Sequence, residues 1–466
     1  MSYFNLKTWL LNLIFLSSLL SLSHGKPNKK FRVRAVNLGG WLVTEGWIKP
    51  SLFDGIQNKD FLDGTGVQFK SVTTGKYLCA ELGGGTSLVA NRTDASGWET
   101  FRLWRLNENS FRFRVFNNQF VGLDGINVVA ISSVSTDSEK FHFVKEGGNS
   151  SRVRIKASNG YFIQAKTEDQ VTADVTKVNG WGEDDPTVFV LTIASRLQGE
   201  FQVTNGFGPR KAPQVMKKHW RTFIVKEDFK FIASNGLNAV RIPVGWWIAS
   251  DPTPPWPYVE GSLNALDNAF LWAQEYGLKI IIDLHAAPGS QNGYEHSSSR
   301  DGSQDWGKAY KNIQQTLHVI DFLTARYANS PSLYAVELLN EPRAPGATIE
   351  SLTKYYKAGY ETVRRHSLTA YVLNNITVQQ NIDFILTNRS SQLNSVTTSN
   401  GPLTFVGEWV AEWQIQGALQ KDYEAFAKAQ LDVYRRATFG WAYWTFKNVN
   451  NHWSLEWMIK NGYIHL

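Results

Sequence analysis

The chain has 466 residues, a formal net charge of +7, and 42% hydrophobic against 19% charged residues, which excludes the disordered and fibrous classes. Its single cysteine, Cys79, excludes a disulfide scaffold and any cysteine-based zinc site, and a lone thiol among strand residues reads as buried and inert. The basic residues are dispersed apart from small groups at 26–34 and 217–221, so nucleic acid is not an expected partner. The 18 tryptophans offer flat faces that suit sugar rings as well as cores.

Residues 1–25 have the pattern of a secretory signal peptide: Lys7, an apolar run over 9–22, then small residues at Ser23 and Gly25. That run is too short and too broken by serine to span a bilayer. No later segment approaches the ~18 uninterrupted apolar residues of a membrane span. A secreted, extracellular or cell-wall protein is expected. Sequons at Asn91, Asn149, Asn375 and Asn388 fit that route.

An apolar strand follows at 31–41. From about 67 to 194 the chain changes to short β-rich runs with many turn residues. Aromatics at Tyr77, Phe120 and Tyr161 recur at spacings of 43 and 41, each followed by a second aromatic strand around Phe101, Phe141 and Phe189. Three copies of a four-strand unit imply a closed threefold β-barrel, which leaves no sheet edge, and the texture resembles fascin-like β-trefoil modules. Strand–helix alternation then begins: a helix at 227–236, a strand at 239–246, an amphipathic helix at 263–277, a strand at 279–285, another at 333–340 and a helix at 348–366. A strand stub at 370–373, a helix at 378–393, and strands at 403–409 and 439–446 around the helix 421–434 complete it. Repeated βα units with nearly all-apolar strands predict a (β/α)8 barrel. The expected division is a barrel of 26–60 and 196–466 with an all-β insert at 61–195.

In such a barrel the site lies where the strands end. Those ends carry Glu45, Arg241, His285, Asn340 with Glu341, Glu408 and Trp444. Two glutamates with Arg, His, Asn and Trp on one rim suit glycosidic bond cleavage, in which one carboxyl protonates the leaving oxygen and the other attacks or stabilises the anomeric carbon. Arg241 within an apolar strand needs a carboxylate partner under any reading. Metal-ligand spacing, a phosphate loop and a GxSxG elbow are absent, so no metal or cofactor is expected.

At these residues the sequence resembles glycoside hydrolase family 5. The resemblance is carried by Val36-Asn-Leu-Gly-Gly-Trp41 through Glu45, Asp283-Leu-His-Ala-Ala-Pro-Gly-Ser-Gln-Asn292, Glu337-Leu-Leu-Asn-Glu-Pro342 and Gly407-Glu-Trp409, and it is nearest to the exo-β-1,3-glucanases with a fascin-like insert. It implies Glu341 as general acid/base and Glu408 as nucleophile of a retaining mechanism. It also implies Asn340 on the sugar 2-hydroxyl, Arg241 holding the nucleophile ionised, and Glu45, His285 and Trp444 lining the first sugar subsite. A retaining pair is expected to have carboxyls ~5–5.5 Å apart. The implied partner is a β-glucan polysaccharide or oligosaccharide, bound by a monomer.

One departure stands out. The family's His-x-Tyr at the end of strand six is missing, and the 66 residues between Glu341 and Glu408 are short for three helices and two strands. The expectation is a barrel lacking one βα unit (α5/β6), with impaired activity. Alternatives are a non-catalytic glycan-binding isoform and a family-5 hydrolase of another β-glycan such as mannan or cellulose.

Overall fold

A computed structural model describes residues 31–148, 151–178, 180–373, 389–397, 403–412 and 418–466. The expected signal segment, the sequons at Asn149, Asn375 and Asn388, and most of the expected 378–393 helix lie outside the described residues. Two compact units are formed. One comprises residues up to Pro50, Val215–Asn292 and Gln304–Leu466, and the other comprises Ser51–Gln214 and Gly293–Ser303. Among the described residues, no helix is long and apolar enough to cross a membrane.

The first unit is built on a curled sheet of parallel strands: β1 (Val33–Asn37), β2 (Ala239–Gly245), β3 (Lys279–Ala286), β4 (Leu333–Glu337), β5 (Tyr371–Leu373), β6 (Phe405–Trp409) and β7 (Gly440–Tyr443). Their order across the sheet is β5-β4-β3-β2-β1-β7-β6, so the first strand in the chain pairs with the last. All of β2 and all but the first residue of β3 are buried, as strands covered on both faces must be. The lateral register sets Asn37 beside Arg241, and Asp283 beside Glu337, with Asp283 two residues further along β3 than the partner of Arg241.

Among the described residues no ladder joins β5 to β6. Side chains bridge that seam: Phe439 packs edge-on against Tyr371 of β5 at 5.0 Å and against Phe405 of β6 at 5.2 Å, with Tyr334 and Phe31 extending the cluster. The strand expectations overrun several ends. Those at 31–41 and 333–340 stop at Asn37 and Glu337, and the helices Glu200–Thr222 and Tyr310–Tyr327 are additions to the expected elements.

In the second unit twelve antiparallel strands among the described residues fall into three successive sets of four. The first and fourth strands of each set (Gly66–Ser71 and Phe101–Arg105, Ser110–Arg114 and Phe141–Lys145, Arg152–Lys156 and Phe189–Ser195) pair into a closed six-strand ring. The second and third strands of each set form hairpins. The repeat seen in the sequence maps onto this arrangement. Phe101, Phe141 and Phe189 each open a fourth strand and are fully buried, while Phe113 stacks on Phe141 at 4.9 Å and 12°. Cys79 is buried in the second strand, and burial pushes its thiol up to about 12, which keeps it protonated and unreactive.

Phe439→Ala removes the wedge between β5 and β6. It is expected to lower the unfolding free energy by about 3–5 kcal/mol in urea titrations, the usual cost of truncating a buried aromatic.

Candidate active site

Arg241 is wholly buried, and its guanidinium is the hub of the strand ends. Nε donates to Glu337 Oε2 at 2.7 Å and Nη2 to Glu337 Oε1 at 2.9 Å, a bidentate pair. Nη2 also donates to Asn340 Oδ1 at 3.0 Å and lies 3.2 Å from Asp283 Oδ2. Nη1 donates to Asn37 Oδ1 at 2.8 Å and to Glu408 Oε1 at 2.9 Å. Five N–H groups in a fixed plane thus orient residues from β1, β4, the segment after β4, and β6.

One cation faces three carboxylates here. Burial disfavours the Arg241 charge, but Asp283, Glu337 and Glu408 outweigh it and raise the guanidinium further above its already high range. Glu337 is pushed up from the usual carboxylate range, chiefly by burial, with Asp283 adding to the rise and Arg241 opposing it. Glu408, with 18% of its side chain exposed, is raised to about 7. Burial is the main cause. Arg241 and His285 pull it back, while the charges of Glu341 and Asp283 push it up. Glu341 and Glu408 are therefore electrostatic neighbours.

The loop after β3 fixes the acid-bearing segment after β4. Gln291 Nε2 donates to His285 O at 2.8 Å and to Asn340 O at 2.9 Å, and its Oε1 accepts from Ala287 N at 3.1 Å. Asn340 N donates to Leu284 O at 2.9 Å, and Asn292 Nδ2 donates to Glu341 O at 3.1 Å. Glu341 is held with φ at +44°, the left-handed region that non-glycine residues seldom adopt, at a cost on the order of 1 kcal/mol that these bonds offset.

His285 Nδ1 lies 2.6 Å from Asp283 Oδ2. An ionised carboxylate only accepts, so Nδ1 carries the proton in this contact. The imidazole stacks on Trp444 at 5.6 Å and 8°, and Trp444 is 6% exposed. A Cβ on Gly39 would come within 2.7 Å of the Trp444 ring, so glycine is required beneath it. Glu45 is buried beyond β1 and accepts from Trp47 Nε1 at 3.0 Å, and Trp47 meets Trp453 edge-on at 5.0 Å.

Of the residues singled out in the sequence, Arg241, Asn340, Glu341, Glu408, His285 and Trp444 are joined by these contacts, and Glu45 is tied to Trp47. Asn91 is half-exposed on a strand of the all-β unit. Asp283, Glu337, Asn37 and Gln291 join the site without having been singled out. A signal for the two acids is present in the sequence: Arg241 in an apolar strand demands carboxylates on the neighbouring strands.

A buried Arg–carboxylate network at the C-terminal ends of parallel strands, with two neighbouring glutamates at its edge, is an arrangement that suits a glycosidase-type barrel site. The model of the Cellulase (glycosyl hydrolase family 5) domain matches residues 204–386, and residues 58–194 match a domain of unknown function, DUF7910. A glucan 1,3-beta-glucosidase of Blumeria graminis is 31% identical over 335 residues, covering 56% of this chain and 77% of that one. A probable glucan 1,3-beta-glucosidase A of Emericella nidulans is 42% identical over 176 residues, covering 37% of this chain. This chain spans only 43% of the length of the latter. The crystal structure of rutinosidase from Aspergillus niger shares the barrel fold, with a TM-score of 0.50 and 19% identity over 57% of this chain and 88% of that one. The chain belongs to glycosyl hydrolase family 5.

A carboxyl with a raised folded-state pKa costs stability as pH rises: the unfolded chain releases the proton near 4.5 and the folded chain near 7. Glu408→Gln keeps an acceptor for Arg241 without the charge. Its melting temperature is expected to match the wild type near pH 4 and to exceed it increasingly between pH 4.5 and 7 in calorimetric scans. In Glu337→Gln one negative charge beside Arg241 is gone, so the Glu408 carboxyl is expected to titrate lower than in the wild type, read by carbon-13 NMR of labelled glutamate.

Proposed function

We propose that the chain is a secreted, retaining β-glucan hydrolase that releases glucose from β-1,3-glucans. The observation that carries this reading is the pairing of a glutamate anchored on a buried guanidinium with a second glutamate whose charge raises the first. Retention needs one acid and one carboxylate, and the guanidinium bonded to Glu408 suits it to the carboxylate role. Glu341 protonates the glycosidic oxygen while Glu408 attacks the anomeric carbon and forms the glycosyl-enzyme. Glu341, now a carboxylate, then takes a proton from the water that displaces Glu408. Asn340 orients the sugar 2-hydroxyl, Arg241 keeps Glu408 available as the anion, and Glu45, His285 and Trp444 line the first sugar subsite. The likeness to the glucan 1,3-beta-glucosidases of B. graminis and E. nidulans supports the 1,3-glucan as substrate.

The domain division follows the same reading, with a signal peptide at 1–25, barrel segments at 26–60 and 196–466, and an insert at 61–195. The six-strand ring with three hairpins supports a β-trefoil for the insert. The barrel is proposed to lack one βα unit between β5 and β6, which slows turnover through loss of the His-x-Tyr side chains and of hydrogen-bonded closure. The protein acts as a monomer outside the cell or in the wall, glycosylated at Asn91, Asn149, Asn375 and Asn388.

The second reading, a glycan-binding protein without turnover, is favoured by one observation: among the described residues β5 and β6 share no ladder. Incubation of the secreted chain with laminarin separates the two. Slow release of β-glucose, seen first as the β-anomer by proton NMR and reduced about 10³-fold or more in Glu408→Gln, is expected of the enzyme. Binding of laminarin with no glucose released by the wild type would establish the second reading.

A further inference from the structure

The all-β unit carries an aromatic that its core does not use. Phe116 lies in the turn between Ser110–Arg114 and Phe120–Asp124, and the residue is 57% exposed. The ring rests on two glycines. A Cβ on Gly97 would come within 3.0 Å of it, and one on Gly83, whose φ is +80°, within 3.1 Å. Any larger residue at either position would tilt the ring, so the backbone is shaped to hold a flat apolar surface outward.

The turn that presents the ring is braced. Asn117 N donates to Gly83 O at 3.0 Å, Asn118 N to Val115 O at 2.9 Å, and Gln119 N to Asn117 Oδ1 at 3.1 Å. Beside the ring opens a cleft of about 300 Å³, lined by Phe116, Gln68, Ser96, Thr100, Arg102 and Ser195. That volume sits at the lower end of the ~300–1,000 Å³ usual for small-molecule sites. Its walls are equally fixed. Ser96 donates through N and Oγ to the buried Glu99 at 2.7 and 2.9 Å, Thr100 Oγ1 donates to Ser96 O at 2.6 Å, and Gln68 Nε2 donates to Thr100 Oγ1 at 3.0 Å.

A rigid exposed ring beside hydroxyls, a carboxamide and one guanidinium matches a pyranose in the glucose configuration. Such a sugar has an apolar C–H face for the ring and equatorial hydroxyls that both accept and donate at its edge. We propose that the Phe116 cleft is a carbohydrate-binding subsite for neutral pyranose units of a β-glucan chain, a second glycan site that lies wholly within the all-β unit. The choice of glucan rests on the function proposed above; the platform and its polar edge do not.

The test is retention of the full chain on insoluble β-1,3-glucan, made in the Glu408→Gln background so that no matrix is consumed. Phe116→Ala is expected to weaken retention about tenfold, and Phe116→Trp to preserve or strengthen it. With Glu408 intact, Phe116→Ala is expected to leave hydrolysis of a soluble laminari-oligosaccharide within twofold of wild type. Equal retention of Phe116→Ala and its parent, no retention of the parent, or preference for polygalacturonate over glucan would each overturn the subsite. If retention depends on Phe116 while the wild type releases no glucose, the subsite stands and the hydrolase reading falls. If glucose is released and retention is indifferent to Phe116, the hydrolase reading stands and the subsite falls.

Discussion

A guanidinium with no water around it must find an acceptor for each of its N–H groups, and Arg241 finds them on four different strands or strand ends. Removing such a cation from its partners would leave several buried carboxylates uncompensated, so the arrangement is all-or-nothing. Asn37 carries the constraint one step further. Its Nδ2 donates to Gly407 O and Tyr443 O at 3.1 Å, which ties β6 and β7 to the same hub. The position of Glu408 is thus fixed from both sides, by the guanidinium on its carboxyl and by Asn37 on the backbone next to it.

The two units solve closure differently. In the all-β unit hydrogen bonds run around a complete ring, and the phenylalanines inside fill a core whose threefold pattern repeats that of the chain. In the parallel sheet the same work is shared between ladders and a group of aromatic rings, and the polar network sits at one end with the aromatic cluster at the base. Rigidity where chemistry is proposed and a side-chain seam elsewhere can coexist because the Arg241 network draws mainly on β1, β2, β3, β4 and β6.

Much of this is legible in the sequence, for identifiable reasons. The all-apolar runs of β2 and β3 fit only strands buried on both faces, and the charges that interrupt or end them mark the site. The 43- and 41-residue spacings mark equivalent positions: Tyr77 and Phe120 open the second strand of their sets, and Tyr161 immediately precedes that of the third. The helix Tyr310–Tyr327 escapes such a reading because its inner face carries Asn312, Thr316 and Thr324, buried polar residues that blur the apolar period. The helical segment Glu200–Thr222 contains Gly206, Gly208, Pro209 and Pro213, which read as breakers and hide the helix on either side; the chain does kink at Gly208, whose φ is +71°. Arg241 signals that carboxylates must face it, but a linear sequence does not say which, so Asp283 within β3 and Glu337 at the end of β4 look like ordinary strand acids.

Gln291 joins three backbones with a single carboxamide: that of Ala287 within its own loop, that of His285 at the end of β3, and that of Asn340 beside Glu341. Loop and acid-bearing segment therefore move as one body. Whatever reshapes the loop also displaces Glu341, so this stretch has little freedom to drift in evolution. A lineage changing the glycan it accepts would have to do so through other loops of the rim, leaving residues 286–292 little room to change.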